Sequence, residues 1–117
     1  MSEPEIDASG YHFTDIASMS WRASIVADGI EVKDLGSANG RVMELVRCRA
    51  GTTFPTHHHV GPEFIYLLEG EAMQNGQRLK PGWAGVAEAG TIDADFHSDA
   101  GCVFLLIYSE EKEESEG

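Results

Sequence analysis

The chain has 117 residues, of which 42% are hydrophobic, and a formal net charge of -12 at pH 7. This length suits one folded domain with a real core, and no apolar run reaches the roughly 18 residues that a membrane span needs. The acidic surface repels nucleic acid, and the acidic first residues lack the basic-then-apolar order of a signal peptide. We therefore predict a cytoplasmic protein with no nucleic-acid or membrane partner.

The first half of the chain predicts short strands separated by turns. Residues 1–20 are mixed and polar, and we interpret them as an N-terminal arm. Residues 21–26 and 30–35 predict the first two strands, joined by the turn pair Asp28-Gly29. Residues 36–40 predict a loop, and the polar–apolar alternation of residues 41–49 predicts a half-buried strand.

The second half repeats this pattern. The β-branched and aromatic run 63–69 predicts a central strand, and Asn75-Gly76 predicts a hairpin. Further strands are predicted at 83–87, 91–96 and 102–108, and no ten-residue segment keeps a helical period. The fold class is therefore all-β, with one barrel domain at 21–109 and a disordered acidic tail at 110–117. Without an export signal, Cys48 and Cys102 are expected to be buried free thiols.

Three consecutive histidines, His57, His58 and His59, stand shortly before Glu63. In an extended segment alternate side chains share a face, so His57 and His59 point the same way and His58 the other. Two imidazoles and one carboxylate form a natural ligand set for one divalent ion such as Fe, Mn, Ni or Zn. Glu63 is also a candidate catalytic base if it does not bind the metal. The competing interpretation is a polar loop that chelates metal adventitiously.

The spacing of these residues resembles the first motif of the cupin superfamily. The matching pattern is Gly51-x5-His57-x-His59-x3-Glu63-x6-Gly70. Over residues 21–108 the order of elements resembles the ChrR-like cupins, which include the C-terminal domain of ChrR-type anti-sigma factors and relatives of acetylacetone-cleaving dioxygenases. The segments that carry this resemblance are 29–33, 49–55, 63–70 and 98–102. The resemblance implies an RmlC-like jelly roll, a double-stranded β-helix, with the metal inside the barrel.

The second cupin motif, Gly-x5-Pro-x-Gly-x2-His-x3-Asn, keeps its spacing here but loses three residue types. Glu88 replaces the proline, Asp93 replaces the fourth ligand histidine, and His97 stands at the asparagine. Three alternatives remain: Asp93 is the fourth ligand, a shifted or bulged strand brings in His97, or the site has three protein ligands or no metal. Asp93, Asp95 and His97 share one face of a straight strand, which separates positions 93 and 97 by about 13 Å.

Three functions remain open, and the family resemblance implies the first two. The first is a metal-dependent enzyme, most readily a dioxygenase and less readily an isomerase or lyase, acting on a small oxygenated substrate. The alternative is a non-catalytic ChrR-like sensing or regulatory module that binds a ligand or a partner protein, and a third is a purely structural metal. A homodimer is also expected, with residues 11–26 adding a strand to a partner's sheet.

Overall fold

A computed structural model describes residues 5–110, so the first four residues and the predicted tail from residue 111 onward lie outside the description. Within the described range the regular structure consists of strands and one 3-10 turn, Ile16–Ser18, and it includes no α-helix. The strands, in chain order, are β1 (Arg22–Ala23), β2 (Ile30–Ala38), β3 (Arg41–Cys48), β4 (Thr52–Phe54), β5 (His57–His58), β6 (Glu63–Gly70), β7 (Ala72–Gln74), β8 (Gln77–Leu79), β9 (Ala84–Ala87), β10 (Ile92–Asp93), β11 (Phe96–Ser98) and β12 (Cys102–Ser109). The all-β prediction is confirmed. None of the helical segments described is long and apolar enough to cross a membrane.

The strands form two large antiparallel sheets and one small one. The six-stranded sheet has the order β1-β2-β3-β12-β6-β9, the four-stranded sheet has the order β4-β11-β7-β8, and β10 pairs with β5 alone. Strands from the end of the chain lie between strands from its first half in both large sheets. β12 lies between β3 and β6, and β11 lies between β4 and β7. This is the jelly-roll arrangement that the sequence predicts.

The core lies between the two large sheets. Inward residues alternate along each strand, and Leu67 at the centre of β6 is fully buried. Three aromatic rings join the sheets: the Phe54 and Phe96 centroids are 4.9 Å apart, and those of Phe96 and Phe104 are 5.3 Å apart. Cys48 and Cys102 lie opposite each other on β3 and β12 and are both buried and free, as expected.

The predicted hairpin at Asn75-Gly76 is confirmed, with β7 and β8 paired up to Gln74 opposite Gln77. Both turn residues adopt positive φ, 47° and 85°, which matches a two-residue turn of the type that Asn-Gly favours. The predicted loop at 36–40 is shorter than expected. β2 continues through Ala38, and only Asn39-Gly40 turns the chain.

The predicted strand 91–96 is broken, and this break decides which side chains face the barrel interior. β10 ends at Asp93 and β11 begins at Phe96, and both of these side chains are buried. Two residues, Ala94 and Asp95, lie between these strands. The inward-facing residue is therefore odd-numbered in β10 (Asp93) and even-numbered in β11 (Phe96 and Ser98). The Asn75 side chain holds the break, because its Oδ1 accepts from the N–H groups of Ala94 (3.0 Å) and Asp95 (3.1 Å). The prediction that Asp93, Asp95 and His97 share one strand face is therefore wrong.

The described part of the N-terminal arm crosses the outer face of β2. Thr14 Oγ1 donates to the Leu35 carbonyl at 2.9 Å, and Lys33 Nζ donates to the Ile16 carbonyl at 3.0 Å. The Trp21 ring then lies over the same ammonium, 4.8 Å from its centroid. Of the predicted first strand 21–26, only Arg22–Ala23 pairs, and its partner is β2 of its own barrel.

Candidate metal centre

The predicted ligands meet where the small sheet joins the barrel. β5 and β10 are antiparallel and place Asp93 directly opposite His57. Glu63 begins β6 after the turn at Gly61-Pro62. His57 Nε2 lies 3.9 Å from Glu63 Oε2 and 4.0 Å from Asp93 Oδ2, and His59 Nε2 lies 2.9 Å from Glu63 Oε2. The donor atoms of His57, His59 and Glu63 all lie within 4.8 Å of one another, so small side-chain movements would bring all three onto one ion.

Hydrogen bonds fix which nitrogen each histidine presents to this centre. His57 Nδ1 lies 3.1 Å from the Pro55 carbonyl, which can only accept, so the ring donates from Nδ1. His59 Nδ1 lies 3.1 Å from Thr91 Oγ1, whose own proton is donated to the Glu88 carbonyl at 2.6 Å. In the neutral tautomers both Nε2 atoms therefore turn lone pairs toward the carboxylates, which is the form that binds metals.

Two buried polar atoms at the centre lack partners. His59 Nε2 and Asp93 Oδ1 make no hydrogen bond within the described part of the chain, although Glu63 Oε2 is only 2.9 Å from the nitrogen. Asp93 is 4% exposed, and its one hydrogen bond is a long one of 3.3 Å from Gln74 Nε2 to Oδ2. A buried carboxylate with so little compensation is costly. A cation held by His57, His59 and Glu63 would give the His59 nitrogen a partner. Asp93 lies beside this group, directly opposite His57.

In the absence of a metal, the positive charge nearest these carboxylates is a proton on His57. The interaction with Glu63 is the largest cause that raises the pKa of His57 to about 9, and Asp93 adds to it. Below that pH the imidazolium compensates part of the buried negative charge. A metal ion would take the place of this proton, because ligating histidines must be deprotonated.

The centre opens into a cavity of about 430 Å³ inside the barrel. Its walls are mainly apolar, and the side chains that form them are Phe54, Ile65, Phe96, Phe104 and Leu106. This size and lining fit a small organic molecule. The cavity also has a second polar wall on the six-stranded sheet, formed by Glu44, which is 8% exposed, and Tyr108.

The structure brings His57, His59, Glu63 and Asp93 together and places His97 elsewhere. The His97 side chain is outside the cavity that holds the other four, and with Arg78 and Glu71 it lines a different depression. Its Nδ1 contacts Asp95 Oδ1 at 2.9 Å, and this carboxylate raises the pKa of His97. The physical reason is the break after Asp93, which turns position 97 outward. His58 is exposed, as predicted.

Several residues that position the ligands were not predicted. Thr91, Pro55 and Gln74 contact ligands directly, and Asn75 holds the segment that carries Asp93. Only Asn75 had a sequence signal, as a turn residue. Thr91 and Gln74 act through contacts between segments distant in the chain, which no local pattern reveals. Pro55 is only two residues from His57 but contributes its backbone carbonyl, which residue type does not predict.

Solved structures with this fold come from several kinds of protein. An acetylacetone dioxygenase from Acinetobacter johnsonii is similar with a TM-score of 0.80 and 17% identity, covering 93% of this chain and 80% of that one. KdgF from Halomonas sp. is similar with a TM-score of 0.71 and 21% identity, covering 88% and 96%. At such identities the likeness shows the fold alone.

A third similar chain comes from the structure of Rhodobacter sphaeroides SigE in complex with the anti-sigma ChrR. Its TM-score is 0.70 at 18% identity, and the match covers 81% of this chain but only 52% of that one. Among curated proteins, no sequence matches this chain. The family model described as the ChrR cupin-like domain matches residues 9–110, which is most of the chain. The chain therefore belongs to the family of ChrR cupin-like domains.

Proposed function

We propose that this cupin binds one divalent metal ion through His57, His59, Glu63 and Asp93 and acts as a dioxygenase-like enzyme on a small oxygenated molecule. The observation that carries the proposal is the close approach of the donor atoms of His57, His59 and Glu63. The buried Asp93 carboxylate lies 4.0 Å from His57 Nε2 and has one oxygen without a hydrogen-bond partner in the described part of the chain. Two imidazoles and two carboxylates form a harder donor set than three histidines and one carboxylate. This set favours Mn(II) or Fe(II) over Zn(II) or Ni(II).

The residues around the centre suit chemistry on an oxygenated substrate. A bound metal supplies Lewis acidity and open positions for substrate oxygens. The apolar walls, with Phe96 and Phe104 at the back, exclude water and favour a compact carbon skeleton. The Glu63 side chain is 17% exposed. It would act as a metal ligand, or as a general base if it does not bind the ion. The similarity in fold to an acetylacetone dioxygenase makes a diketone the first substrate class to test, and enediols and phenols with adjacent oxygens are tested beside it.

Metal content is the first test. Untagged protein is loaded with Mn(II) or Fe(II), dialysed and measured by mass spectrometry, in the wild type, His57→Gln and Asp93→Asn. We expect about one equivalent in the wild type and a large loss in both variants. His58→Gln and Asp95→Asn are matched controls, because they change neighbouring residues of the same type that lie outside the centre. Wild-type protein without metal, or equal loss in the controls, contradicts the proposal.

Catalysis is tested separately with an oxygen electrode. Loaded protein is mixed with 2,4-pentanedione, an enediol or a catechol, and oxygen consumption is followed with and without chelator. We expect chelator-sensitive consumption with at least one of these compounds. A protein that holds one equivalent of metal and consumes no oxygen with any of them is not the proposed dioxygenase.

The alternative is a sensing module without turnover, which the similarity to the chain from the SigE–ChrR structure supports. A sensor binds its ligand or metal and changes its affinity for a protein partner without chemistry. Metal-loaded protein that shows no turnover, but captures a partner only in the loaded or only in the metal-free state, favours this function. Binding that is indifferent to the metal counts against it.

A further inference from the structure

The cavity has two polar regions, and only one of them belongs to the metal centre. On the six-stranded sheet, Glu44 of β3, Leu106 of β12 and Ile65 of β6 lie side by side in register. Adjacent strands are about 4.8 Å apart, so the backbones of Glu44 and Ile65 are separated by about 10 Å. Glu63 lies two residues from Ile65 on the same face. Glu44 and Glu63 therefore face the same cavity from the same sheet, with their backbones about 12 Å apart.

The Glu44 carboxylate is buried but only weakly paired. Its nearest cation is Arg22, whose Nη2 is 3.6 Å away, while the same guanidinium makes two 2.8 Å contacts with Asp34. Burial is the largest cause that raises the pKa of Glu44, and the Tyr108 hydroxyl interacts with it. Glu44 can therefore accept one more hydrogen bond, because it lines the cavity and shares Arg22 with Asp34.

We propose that Glu44 and Tyr108 form a recognition subsite for a hydrogen-bond donor on the far end of the substrate. This inference rests on the proposed metal centre, which would hold the substrate's oxygen atoms at the other end. The substrate class is then a small molecule with metal-binding oxygens at one end, an apolar middle and a hydroxyl or ammonium group four to six bonds away. Ile65, Leu106 and Phe104 line the space between the two ends.

The test uses three probes with the same metal-binding head: pentanohydroxamic acid, 5-hydroxypentanohydroxamic acid and 5-aminopentanohydroxamic acid. Dissociation constants with Mn(II)-loaded protein are measured by calorimetry. We expect the hydroxy or amino probe to bind at least about tenfold more tightly than the plain one. Glu44→Gln should remove most of the amino advantage, and Tyr108→Phe should reduce the hydroxy advantage, both without loss of metal.

Asp34→Asn is the control, because it disrupts the main contact of Arg22 without changing the cavity lining. If Glu44 served only to anchor Arg22, Asp34→Asn and Glu44→Gln would both lower the melting temperature, and neither would alter the ratio between probes. That result, or equal affinity of the wild type for all three probes, overturns the subsite and leaves the metal centre intact. Wild-type protein that takes up no metal overturns the proposed metal centre instead.

A separate observation concerns the outer face of the same sheet. Two apolar rows run across four strands: Met43, Ile107, Phe64 and Val86 in one, and Leu45, Leu105, Tyr66 and Ala84 in the other. Met43, Phe64, Tyr66 and Val86 each expose more than a third of their surface, up to 68% for Val86. We call these eight residues the outer apolar face. Together they expose on the order of several hundred Å², which monomers seldom leave uncovered.

We infer that a second copy of this chain covers the outer apolar face. The hydrogen bonds that the described part of the arm makes to the six-stranded sheet are with β2, where Trp21 also lies over Lys33. The face carries no charge, so two copies with a net charge of -12 each can meet there without opposing acids.

Light scattering after size exclusion tests this interface. At about 50 µM we expect a mass near twice the 12.7 kDa chain for the wild type. Tyr66→Glu and Val86→Lys should each give a folded monomer by circular dichroism, because each places a charge in the face. Ile25→Glu changes a fully exposed residue outside the face and should remain a dimer. A monomeric wild type, or a dimer unaffected by both face variants, overturns the inference.

Discussion

Asp93→Asn is expected to change the metal-free and the metal-loaded protein in opposite directions. The carboxylate is 4% exposed, and one of its oxygens has no hydrogen-bond partner among residues 5–110. This charge is compensated only in part, by His57 and by one long hydrogen bond from Gln74. Removing it therefore relieves a burial cost of about 1–2 kcal/mol, even after allowing for the amide's own needs. In a domain of this size we expect the melting temperature of the metal-free protein to rise by about 5 °C.

The same substitution weakens metal binding. Asp93 Oδ2 and His57 Nε2 are 4.0 Å apart, just within the roughly 4.2 Å that can separate two ligands each about 2.1 Å from one ion. Even unit charges about 4 Å apart interact by about 4 kcal/mol at an effective dielectric constant of about 20, so a divalent ion in direct contact interacts at least that strongly. The asparagine keeps an oxygen donor, so we expect a loss of about 3 kcal/mol, which is a roughly 100-fold increase in Kd.

Both effects are measured on the same samples. Thermal unfolding with chelator reports the metal-free change, and competition with a chromophoric chelator reports the Kd for Mn(II). Asp95→Asn is the control and should change neither quantity greatly, because that carboxylate is exposed and contacts His97. An unchanged Kd in Asp93→Asn refutes the role of this residue as a ligand. A lower melting temperature without metal refutes the view that its charge is only partly compensated.

Three further predictions follow from the geometry. In the metal-free protein, charged His57 should contribute to the free energy of unfolding. This contribution is complete below about pH 6.5 and is lost as the pH rises through about 9. The free energy of unfolding, measured with denaturant, should therefore depend less on pH in His57→Gln than in the wild type over this range. Asn75→Ala should weaken metal binding about tenfold by releasing the segment before Asp95, whereas Asn39→Ala, at a similar positive φ, should leave the Kd unchanged in the same chelator competition. Gly70→Ala should destabilise by several kcal/mol in denaturant unfolding, because the new Cβ would lie 2.0 Å from the Gly101 carbonyl oxygen; Gly76→Ala, with open space around it, should cost about 1 kcal/mol.

Local patterns in the sequence were sufficient for most of the fold. Glycine-bounded apolar segments predicted the strands, and the parity of an extended chain separated His57 and His59 from His58. Asn75-Gly76 predicted its own turn. These features depend on neighbours one to four positions away, so a single sequence contains them.

The choice between Asp93 and His97 as the fourth ligand of the proposed metal centre could not be made from local sequence patterns. Parity holds only while a strand is continuous, and the strand between Asp93 and His97 is interrupted. The interruption is held by Asn75, about twenty residues earlier in the chain. Likewise, nothing near Glu44 in the sequence shows that it faces the same cavity as Glu63, because only the pairing of β3, β12 and β6 brings them together.

The central strand β12 has a further consequence for how this protein can change over generations. Its even positions, Phe104, Leu106 and Tyr108, line the cavity, while the odd positions, Leu105 and Ile107, lie on the outside. Single substitutions at odd positions therefore change the outer apolar face while the cavity keeps its lining. An insertion or deletion of one residue in β12 would exchange the two sets and disrupt both surfaces. The two surfaces can thus change independently, one residue at a time, only while the length of this strand is preserved.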